Sequence, residues 1–547
     1  MIERNPIRRS ASRASRRHWH SDEMIDAAEA PPEPHPGDQP RNVVVVLLDS
    51  LNRHMLGAYG SAEFDTPNLD RIAARSLRFT NHQTGALPCM PARHDLLCGT
   101  LDFLWRPWGS VELWDTPITR LVRDVGVTTM LVSDHPHLFE TGGENYHTDF
   151  AAWDYTRGHE GDPWKTALDP SWVGTPALPA RASPRHHPYE TNRTWFRSED
   201  DFPGPRTMQA AADWLEHQAP QHDRFLLVID EFDPHEPFDV PEPWANRYDP
   251  EWDGPNIIWP PYAIDAVASG AIDERSARQV RSNYGAKLTF IDHWLGRILD
   301  RFDQQDLWDD TALVVCTDHG HYLGERDIFG KPGAPIYTPL GHIPLLVSWP
   351  GSEAGDVDAL TTTVDLFSTL CDVFGVDEPV GTHGSTLVPL IEGSTQSIRD
   401  WAISGYWGRE ITITDGHHRY TRAPVSDNRP LSMYSNRWST MPIHSMPNVR
   451  LPHPDQRAFL DRMPNSDIPV IRQPYDVGDP VPFWAIRPPA EPGSTPPHEL
   501  YDVRIDPDES QNRSGDAAEL EMVELLRNAL GSLDAPDDQY ERLDIAR

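Results

Sequence analysis

The sequence predicts an α/β protein with a large, mostly parallel central sheet flanked by helices and a small antiparallel sheet near its C-terminus. Over residues 41–395, short and fully apolar runs alternate with longer segments of helical periodicity. Strands that alternate with helices are typical of a parallel sheet, because each parallel connection needs a crossover. After residue 395, short segments of alternating polarity follow, which are typical of antiparallel strands with one solvated face. A chain of 547 residues is long enough to bury the cores of both units.

Five short apolar runs are predicted as buried strands of the large sheet, since they are rich in valine, isoleucine and leucine. These runs are residues 43–49, 127–132, 225–230, 313–317 and 343–347. Three of them end at or just before an aspartate, namely Asp49, Asp230 and Asp318. Ligands bind beyond the carboxyl ends of strands in open α/β sheets, so we expect these three carboxylates to meet at one site.

Helical segments separate the predicted strands. Thr66 precedes Pro67, a pattern that predicts an N-cap followed by proline at the first helical position. Two further helices are predicted over residues 208–217 and 277–302, and a last one over residues 517–530.

The chain divides into four predicted regions. They are an arm at 1–40, the large α/β domain at 41–395, a C-terminal subdomain at 396–515, and a C-terminal helix with its tail at 516–547. The arm is basic and then rich in proline, so it has too few apolar residues to pack a core, and we expect it to be disordered. We interpret it as a solvated tail, with a nucleic-acid or membrane tether as the alternative.

Charge and segment composition exclude several classes of protein. The formal net charge is −36, and the lysines are Lys165, Lys287 and Lys331 alone. Such an acidic surface repels nucleic acid, so no nucleic-acid partner is expected. Two origins of this acidic, lysine-poor composition stay open. One is adaptation to high salt, and the other is replacement of lysine by arginine in a GC-rich genome. No apolar run approaches the roughly 20 residues that span a bilayer.

Signals for export and for disulfides are missing as well. No apolar stretch follows the basic residues at the start of the sequence, so we expect no secretory signal and a cytoplasmic location. The four cysteines, Cys89, Cys98, Cys316 and Cys371, are too few and too irregularly spaced for a disulfide framework. A single functional cysteine stays open.

The segment around Cys89 is the most informative. Residues 89–93 read CMPAR, and residues 96–99 read LLCG. This C-x-P-x-R pattern resembles the nucleophile segment of sulfatases, members of the alkaline phosphatase superfamily, with Cys98 in place of the usual threonine. The resemblance implies that a formylglycine-generating or anaerobic sulfatase-maturating enzyme oxidises Cys89 to formylglycine. One oxygen of the hydrated aldehyde would attack sulfur, and the other would let the intermediate collapse by elimination.

Two segments resemble the metal-binding segments of the same family. VVVVLLDS ends in Asp49 and Ser50, and VVCTDH ends in Asp318 and His319. The resemblance implies one divalent cation on four side chains, those of Asp49, Cys89, Asp318 and His319. Ca²⁺ is expected first, with Mn²⁺ or Mg²⁺ as alternatives, because most of the ligand atoms are oxygens. Ser50 stands where the family has a second acid, and its neutral hydroxyl is a weaker ligand. Related phosphonate monoester hydrolases also lack that acid.

Further residues match the anion-binding groups of sulfatases. Lys331 in GKP matches a lysine that contacts the sulfate, and His235 in PHEP matches a histidine that contacts the sulfate and the leaving oxygen. Arg93 is expected to hold the formylglycine. Where the family carries Gly-Lys-Trp-His, this chain reads SDHPH, so the lysine is missing. His137, in preference to His135, is expected to supply the family histidine.

Together these segments predict an arylsulfatase-like sulfuric ester hydrolase, which converts a sulfate ester into an alcohol and inorganic sulfate. Asp318 is expected to accept the proton of the nucleophile, and His235 to protonate the leaving alcohol. The alternatives are a phosphonate monoester or phosphodiester hydrolase of the same superfamily, and a non-catalytic binding protein on a decayed sulfatase fold. Decay is disfavoured because four functional side chains are retained, those of Cys89, Arg93, Asp318 and Lys331.

Overall fold

The computed structural model describes residues 39–172, 186–437, 458–476 and 496–547, so all but two residues of the predicted arm lie outside the described residues. Its strands are β1 Asn42–Leu48, β2 Leu77–Gln83, β3 Ala86–Leu87, β4 Thr128–Ser133, β5 Ala152–Tyr155, β6 Phe225–Glu231, β7 Thr311–Cys316, β8 Tyr322–Leu323, β9 Phe329–Gly330, β10 Leu345–Ser348, β11 Gly355–Thr362, β12 Ala402–Tyr406, β13 Ile411–Thr414, β14 His418–Arg422, β15 Leu431–Ser435, β16 Phe459–Arg462, β17 Pro469–Tyr475 and β18 Glu499–Asp502. Its α-helices are α1 Pro67–Ala73, α2 Cys89–Cys98, α3 Ile118–Asp124, α4 His186–Arg193, α5 Pro203–His217, α6 Glu274–Gln304, α7 Thr338–Gly341, α8 Val364–Phe374, α9 Val388–Ile391, α10 Ala517–Ser532 and α11 Asp537–Arg542.

A central sheet of eight strands runs in the order β11-β2-β10-β7-β1-β6-β4-β5. All neighbouring pairs are parallel except the two that involve β10, which is antiparallel to β2 and to β7. With helices on the sheet and a separate small antiparallel sheet, the predicted α/β fold class is confirmed.

The five predicted strands correspond to β1, β4, β6, β7 and β10. The last of them is antiparallel to both of its neighbours in the otherwise parallel sheet, and it begins at Leu345 rather than at residue 343. The segment between β7 and β10 holds only the short β8–β9 hairpin and the four-residue helix α7. Because no crossover helix carries the chain back to the starting edge, β10 returns in the opposite direction.

The two faces of β1 enter two separate cores. Val43, Val45 and Leu47 pack in one core with side chains of α2, α3 and α8. The alternate residues of β1 pack in the other core with side chains of α5 and α6. Burying one valine or leucine side chain fully contributes about 1.5–3 kcal/mol. Packing on both faces therefore stabilises β1, the strand that ends beside Asp49.

Thr66 is the N-cap residue of α1 and Pro67 is its first residue, as predicted. The Thr66 hydroxyl makes no capping bond and instead accepts a hydrogen bond from Gly57 N at 3.1 Å. Two amides of the first helical turn, including Leu69 N at 2.8 Å, donate to the Asp292 carboxylate of α6. A carboxylate from a neighbouring helix thus satisfies the free amide groups of this helix end.

The smaller sheet has the strand order β18-β14-β13-β12-β3. Its C-terminal strands are antiparallel to one another, whereas β3 pairs with β12 in parallel, with Ala86 opposite Gly405. Since β3 ends two residues before Cys89, the C-terminal strands support the nucleophile segment directly. Strands β15, β17 and β16 form a further three-stranded sheet. The region boundaries near residues 395 and 515 stay a prediction.

The predicted C-terminal helix corresponds to α10, which continues two residues beyond the expected Leu530. Its buried residues Met522 and Leu526 belong to the same core as Ile413 of β13. Within the described part of the chain, every helix is too short or too polar to cross a membrane.

Candidate active site

Three carboxylates from adjacent strands converge at one edge of the central sheet. Asp49 follows β1, Asp230 lies near the end of β6, and Asp318 follows β7. The three side chains come together because β1 pairs in parallel with both β6 and β7. All three residues are buried. The structure thus brings together the strand-end acids that the sequence pattern places at one site.

Arg93 of α2 lies between these carboxylates. Its Nε and Nη2 atoms donate to the two Asp230 oxygens at 2.8 Å and 2.6 Å. Nη1 donates to Asp318 Oδ2 at 2.9 Å, and Nη2 lies 2.9 Å from Asp49 Oδ2. Burial opposes the charge of this guanidinium, but the carboxylates outweigh burial and raise the pKa of Arg93 well above its usual value. One guanidinium offsets only part of the negative charge of three buried carboxylates, so the centre favours a further cation.

Cys89 is the first residue of α2 and is 4 % exposed. Its Sγ lies 3.3 Å from His319 Nε2, 3.9 Å from Lys331 Nζ and 4.0 Å from Asp49 Oδ1. Burial and the neighbouring Asp49 raise the pKa of the Cys89 thiol well above its usual value. Because the thiolate is the nucleophilic form of cysteine, an unmodified thiol at this position is a poor nucleophile.

The donor set around Cys89 fits a divalent cation. Ligand atoms of Asp49, Cys89, Asp318 and His319 all lie within 4.8 Å of one another, and all four residues are buried. Here Sγ of Cys89 stands for the oxygen that formylglycine would present. Within the described chain, Asp49 Oδ2 is buried and makes no hydrogen bond, although Arg93 lies within ion-pair distance. Buried carboxylate oxygens beside an imidazole nitrogen are suitable ligands for a hard divalent ion.

The tautomer of His319 follows from its partners. Nδ1 lies 2.9 Å from the Gly320 carbonyl, which can only accept, so Nδ1 carries the proton and Nε2 keeps its lone pair. Nε2 faces both Cys89 Sγ and Asp318 Oδ2, each at 3.3 Å. Burial lowers the pKa of His319 to about 4, so the imidazole stays neutral near pH 7. A neutral imidazole with a free Nε2 is in the form that binds a metal.

Ser50 adopts a left-handed backbone conformation, with φ at 62°. Such a conformation costs a non-glycine residue about 1–3 kcal/mol. Two hydrogen bonds hold it, from Ser50 N to Asp318 Oδ1 and from the Tyr284 hydroxyl to Ser50 O, both at 3.0 Å. The Ser50 hydroxyl donates to Asp49 Oδ1 at 2.8 Å and accepts from Lys331 Nζ at 3.1 Å. The strained turn therefore aims this hydroxyl between Asp49 and Lys331.

Lys331 and His235 are buried close to the same centre. Burial opposes the Lys331 charge, but the neighbouring groups, Cys89 foremost, raise its pKa well above the usual value. The Nδ1–H of His235 donates to the Glu236 carbonyl at 2.7 Å, which leaves Nε2 for proton transfer. Burial lowers the pKa of His235, although the Glu236 charge acts in the opposite direction.

The two histidines of the SDHPH segment take different positions. His135 is fully buried, and its Nε2 lies 3.5 Å from Asp49 Oδ2. His137 lies between two glutamates, with Nδ1 on Glu140 and Nε2 at 3.3 Å from Glu160. These carboxylates outweigh burial and raise the pKa of His137 to about 10. The role of His137 stays a prediction, whereas His135 is the histidine that the structure places against a predicted metal ligand.

Sequence reasoning does not identify two supporting interactions. Tyr284 of α6 supports the turn after β1, since its hydroxyl accepts from Asn52 N at 2.9 Å and donates to Ser50 O. A tyrosine on an amphipathic helix carries no signal that distinguishes this role from core packing. The position of Asp230 at a strand end is a signal for the site, but nothing in the sequence shows that Asp230 binds Arg93.

Comparison with known proteins agrees with this geometry. The family model described as Sulfatase matches residues 41–376, which is more than half of the chain. The chain therefore belongs to the sulfatase family. The predicted resemblance to that family is confirmed, and the prediction of a sulfuric ester hydrolase is confirmed at the level of the family.

Individual relatives and solved structures include sulfatases and other members of the same superfamily. A choline-sulfatase of Rhizobium meliloti (strain 1021) is 25% identical over 412 residues, 69% of this chain and 77% of the relative. The multifunctional alkaline phosphatase superfamily protein PehA of Trinickia caryophylli is 25% identical over 428 residues, 66% of this chain and 78% of the relative. A solved phosphonate monoester hydrolase of Agrobacterium radiobacter superposes with a TM-score of 0.60 at 20% identity, over 91% of this chain and 96% of that one. At that identity the last likeness shows the fold alone.

Proposed function

We propose that this protein hydrolyses sulfate esters to an alcohol and inorganic sulfate, with formylglycine at position 89 as the nucleophile. One observation carries the proposal. Cys89 of the C-x-P-x-R motif lies buried among carboxylate and imidazole donors on one side and the Lys331 ammonium on the other. The proposal is supported because the Cys89 Sγ atom has side chains suited to bind a divalent cation and a positive charge suited to bind an anion close to it.

Asp49, Asp318 and His319, together with residue 89, would hold one divalent cation. Ca²⁺ is preferred over Mn²⁺ or Mg²⁺ because carboxylate oxygens dominate the donor set. Bound there, the cation would lower the pKa of the nucleophile and polarise the sulfate oxygens. Ser50 supports this site through its hydroxyl, which bonds Asp49 and Lys331 at the same time.

The protein side chains divide the remaining work. Formylglycine supplies a geminal diol, which attacks sulfur with one oxygen and releases sulfate through the other. Arg93 donates to the Cys89 carbonyl at 3.2 Å and so fixes the backbone of the nucleophile. Lys331 binds the sulfate oxygens as a point charge. His235 would protonate the leaving alcohol from Nε2 in its imidazolium form, and the Asp318 carboxylate would accept the proton of the nucleophile.

The second candidate function is hydrolysis of phosphonate monoesters or phosphodiesters with the same nucleophile. Ser50 favours it, because a hydroxyl replaces the second acid at the predicted metal site. The SDHPH segment supports it as well, since neutral His135 rather than a lysine lies against Asp49. Burial, assisted by Arg93, lowers the pKa of His135 well below its usual value. Sulfate hydrolysis is preferred because the family match and the Lys331 and His235 segments are those of sulfatases.

The proposal is tested on protein that is co-expressed with a formylglycine-generating enzyme, the expected maturation partner. Peptide mass spectrometry should find CHO in place of CH₂SH at residue 89, and only the modified protein should turn over an aryl sulfate. Cys89→Ala should abolish turnover, while Cys371→Ala, at a buried cysteine of α8, should retain it. Equal turnover by unmodified protein, or full activity of Cys89→Ala, would overturn the mechanism. Turnover of any aryl sulfate excludes a non-catalytic binding protein.

A further inference from the structure

A second cluster of metal-binding side chains lies at the opposite end of α2 from Cys89. His94 and Cys98 are four residues apart on this helix, so both side chains lie on the same face. Asp115 approaches them from the loop that precedes α3. The ligand atoms of these three buried residues all lie within 4.8 Å of one another.

The spacing of the nitrogen and oxygen donors suits a tetrahedral ion. His94 Nε2 lies 3.2 Å from Asp115 Oδ1. Two ligands at zinc bond lengths of 2.0–2.1 Å are about 3.3 Å apart when the site is tetrahedral. The two atoms therefore already have the separation of neighbouring zinc ligands, and Cys98 supplies a sulfur beside them.

The His94 ring has no hydrogen bond although it is only 1 % exposed. Within the described chain, neither of its nitrogens has a hydrogen-bond partner. Asp102 and Asp115 lie 3.4 Å and 3.2 Å from the two nitrogens, but neither approach has hydrogen-bond geometry. Buried polar atoms are normally satisfied by hydrogen bonds, and this imidazole faces two carboxylates without a hydrogen bond to either, so an ion bound among these groups would satisfy them.

The local charge balance also favours a bound cation. Asp102, Glu112 and Asp115 are each at most 6 % exposed. Arg106 contacts all three carboxylates and is buried with them. One guanidinium against three carboxylates leaves two negative charges, and a Cys98 thiolate would add a third, so a divalent ion offsets most of the local charge. The alternative to a bound cation is a protonated His94. Burial lowers the pKa of His94, but Asp102 and the other neighbouring acids outweigh burial and raise this pKa well above its usual value.

A cavity of about 330 Å³ gives access to this cluster. Cys98, Asp102 and Asp115 form part of its wall, and Trp105, Trp114 and His383 form another part. A zinc ion with three protein ligands keeps its fourth position for water or another small ligand. The cavity provides both that fourth position and a path by which the ion can enter.

We propose that His94, Cys98 and Asp115 form a second metal site, which binds one zinc ion with its fourth coordination position open to the cavity. Binding converts the Cys98 thiol into a thiolate and, where His94 is protonated, its imidazolium into neutral imidazole, and these protons are released to solvent. A thiolate selects Zn²⁺ over the hard Ca²⁺ or Mg²⁺ expected beside Cys89. The two sites therefore take different ions, and the second one does not depend on the proposed hydrolysis.

Cobalt(II) is the probe for this site, because it reports a thiolate ligand by a charge-transfer absorption band. The full chain carrying Cys89→Ser is used, which removes the only cysteine at the other metal centre. After dialysis against a chelator, the protein should bind one equivalent of Co²⁺ with this band, and Zn²⁺ should abolish it by displacement. Adding Cys98→Ser should eliminate the band, whereas adding Cys371→Ser should leave it unchanged.

Metal content provides the second measurement. Wild-type protein dialysed against a weak chelator should retain one zinc per chain by elemental analysis, and Asp115→Asn should lose it. If circular dichroism shows that the Cys98→Ser chain does not fold, the zinc content of wild-type protein and of Asp115→Asn tests the proposal instead. The proposal is overturned if the Cys89→Ser protein shows no charge-transfer band, if the band survives Cys98→Ser in folded protein, or if wild-type protein retains no zinc. Such results would mean that a protonated His94, and not a metal ion, offsets the charge of the neighbouring carboxylates.

Discussion

The Lys331 ammonium donates a hydrogen bond to the Ser50 hydroxyl at 3.1 Å, and this hydroxyl in turn donates to Asp49 at 2.8 Å. Ser50 thereby links the anion-binding lysine to a predicted metal ligand. A carboxylate at this position would pair with Lys331 and compete with the substrate for its charge. The neutral serine hydroxyl does not offset the charge of the ammonium, as the anion-binding role proposed for Lys331 requires.

Ser50→Ala should lower kcat/KM about tenfold and leave metal content unchanged. The variant loses the hydrogen bonds of the hydroxyl to two charged groups, Asp49 and Lys331. One such bond contributes about 1.5 kcal/mol, and a factor of ten in kcat/KM corresponds to about 1.4 kcal/mol. Ser368→Ala is the matched control, because Ser368 is an equally buried serine on α8. Loss of the metal in Ser50→Ala would show that the hydroxyl is a required ligand.

Asp318→Asn should lose both the divalent ion and turnover, with kcat/KM reduced at least about 1,000-fold, or about 4 kcal/mol. Asp318 supplies one of two carboxylates to the proposed metal site and also pairs with Arg93. Metal analysis and steady-state kinetics measure both effects. Asp292→Asn on α6 removes an equally well-buried carboxylate that binds α1, so it should reduce stability and keep the metal. Wild-type metal content in Asp318→Asn would refute the assignment.

His137→Gln should destabilise the protein in a pH-dependent way. The folded-state pKa of His137 is raised from 6.5 to about 10, so its stabilisation is complete below pH 6.5 and is lost as pH rises towards about 10. Burial raises the pKa of Glu160, but the charge of His137 outweighs burial, so this pKa lies below its usual value of 4.5. The stabilisation from Glu160 is therefore complete above pH 4.5 and is lost on acidification. The pair is strongest between about pH 4.5 and 6.5.

Urea unfolding measures this effect. At pH 6 the variant should lose about 3 kcal/mol, the usual loss when one partner of a buried ion pair is removed. The difference from wild type should shrink steadily up to pH 9.5. His147→Gln, on a nearby histidine that bonds the Leu138 carbonyl, should show no such trend. A difference that stays constant with pH would mean that His137 is not charged in the folded protein.

The sequence is sufficient to predict five of the eight strands of the central sheet, because apolar runs buried on both faces allow few other structures. Strands β2, β5 and β11 are not predicted, since their exposed or polar residues interrupt the apolar pattern. Strand ends then place Asp49, Asp230 and Asp318 at one edge. The direction of β10 is not predictable in this way, since an apolar run carries no information about which neighbour it pairs with. That direction follows from the missing crossover helix between β7 and β10.

Side-chain partners at the site are the part that sequence reasoning does not reach. His135 and His137 are two residues apart in one segment, yet one lies against Asp49 and the other between two glutamates. Glu160 contacts His137 from a separate segment of the chain, and no local sequence pattern predicts that contact. The same limit applies to Thr66, whose capping role passes to Asp292 on a distant helix.

The most direct test of the account is the ratio of kcat/KM for an aryl sulfate and an aryl phosphonate with the same leaving group, measured on enzyme that carries formylglycine. This ratio reports the difference in transition-state binding between the two substrates. A sulfate would present three terminal oxygens to the proposed metal, Lys331 and His235, whereas a phosphonate monoester would present two and need room for its third substituent. We expect the sulfate to be favoured by at least about tenfold, or about 1.4 kcal/mol. A tenfold preference for the phosphonate would contradict the account and assign the protein to the second candidate function.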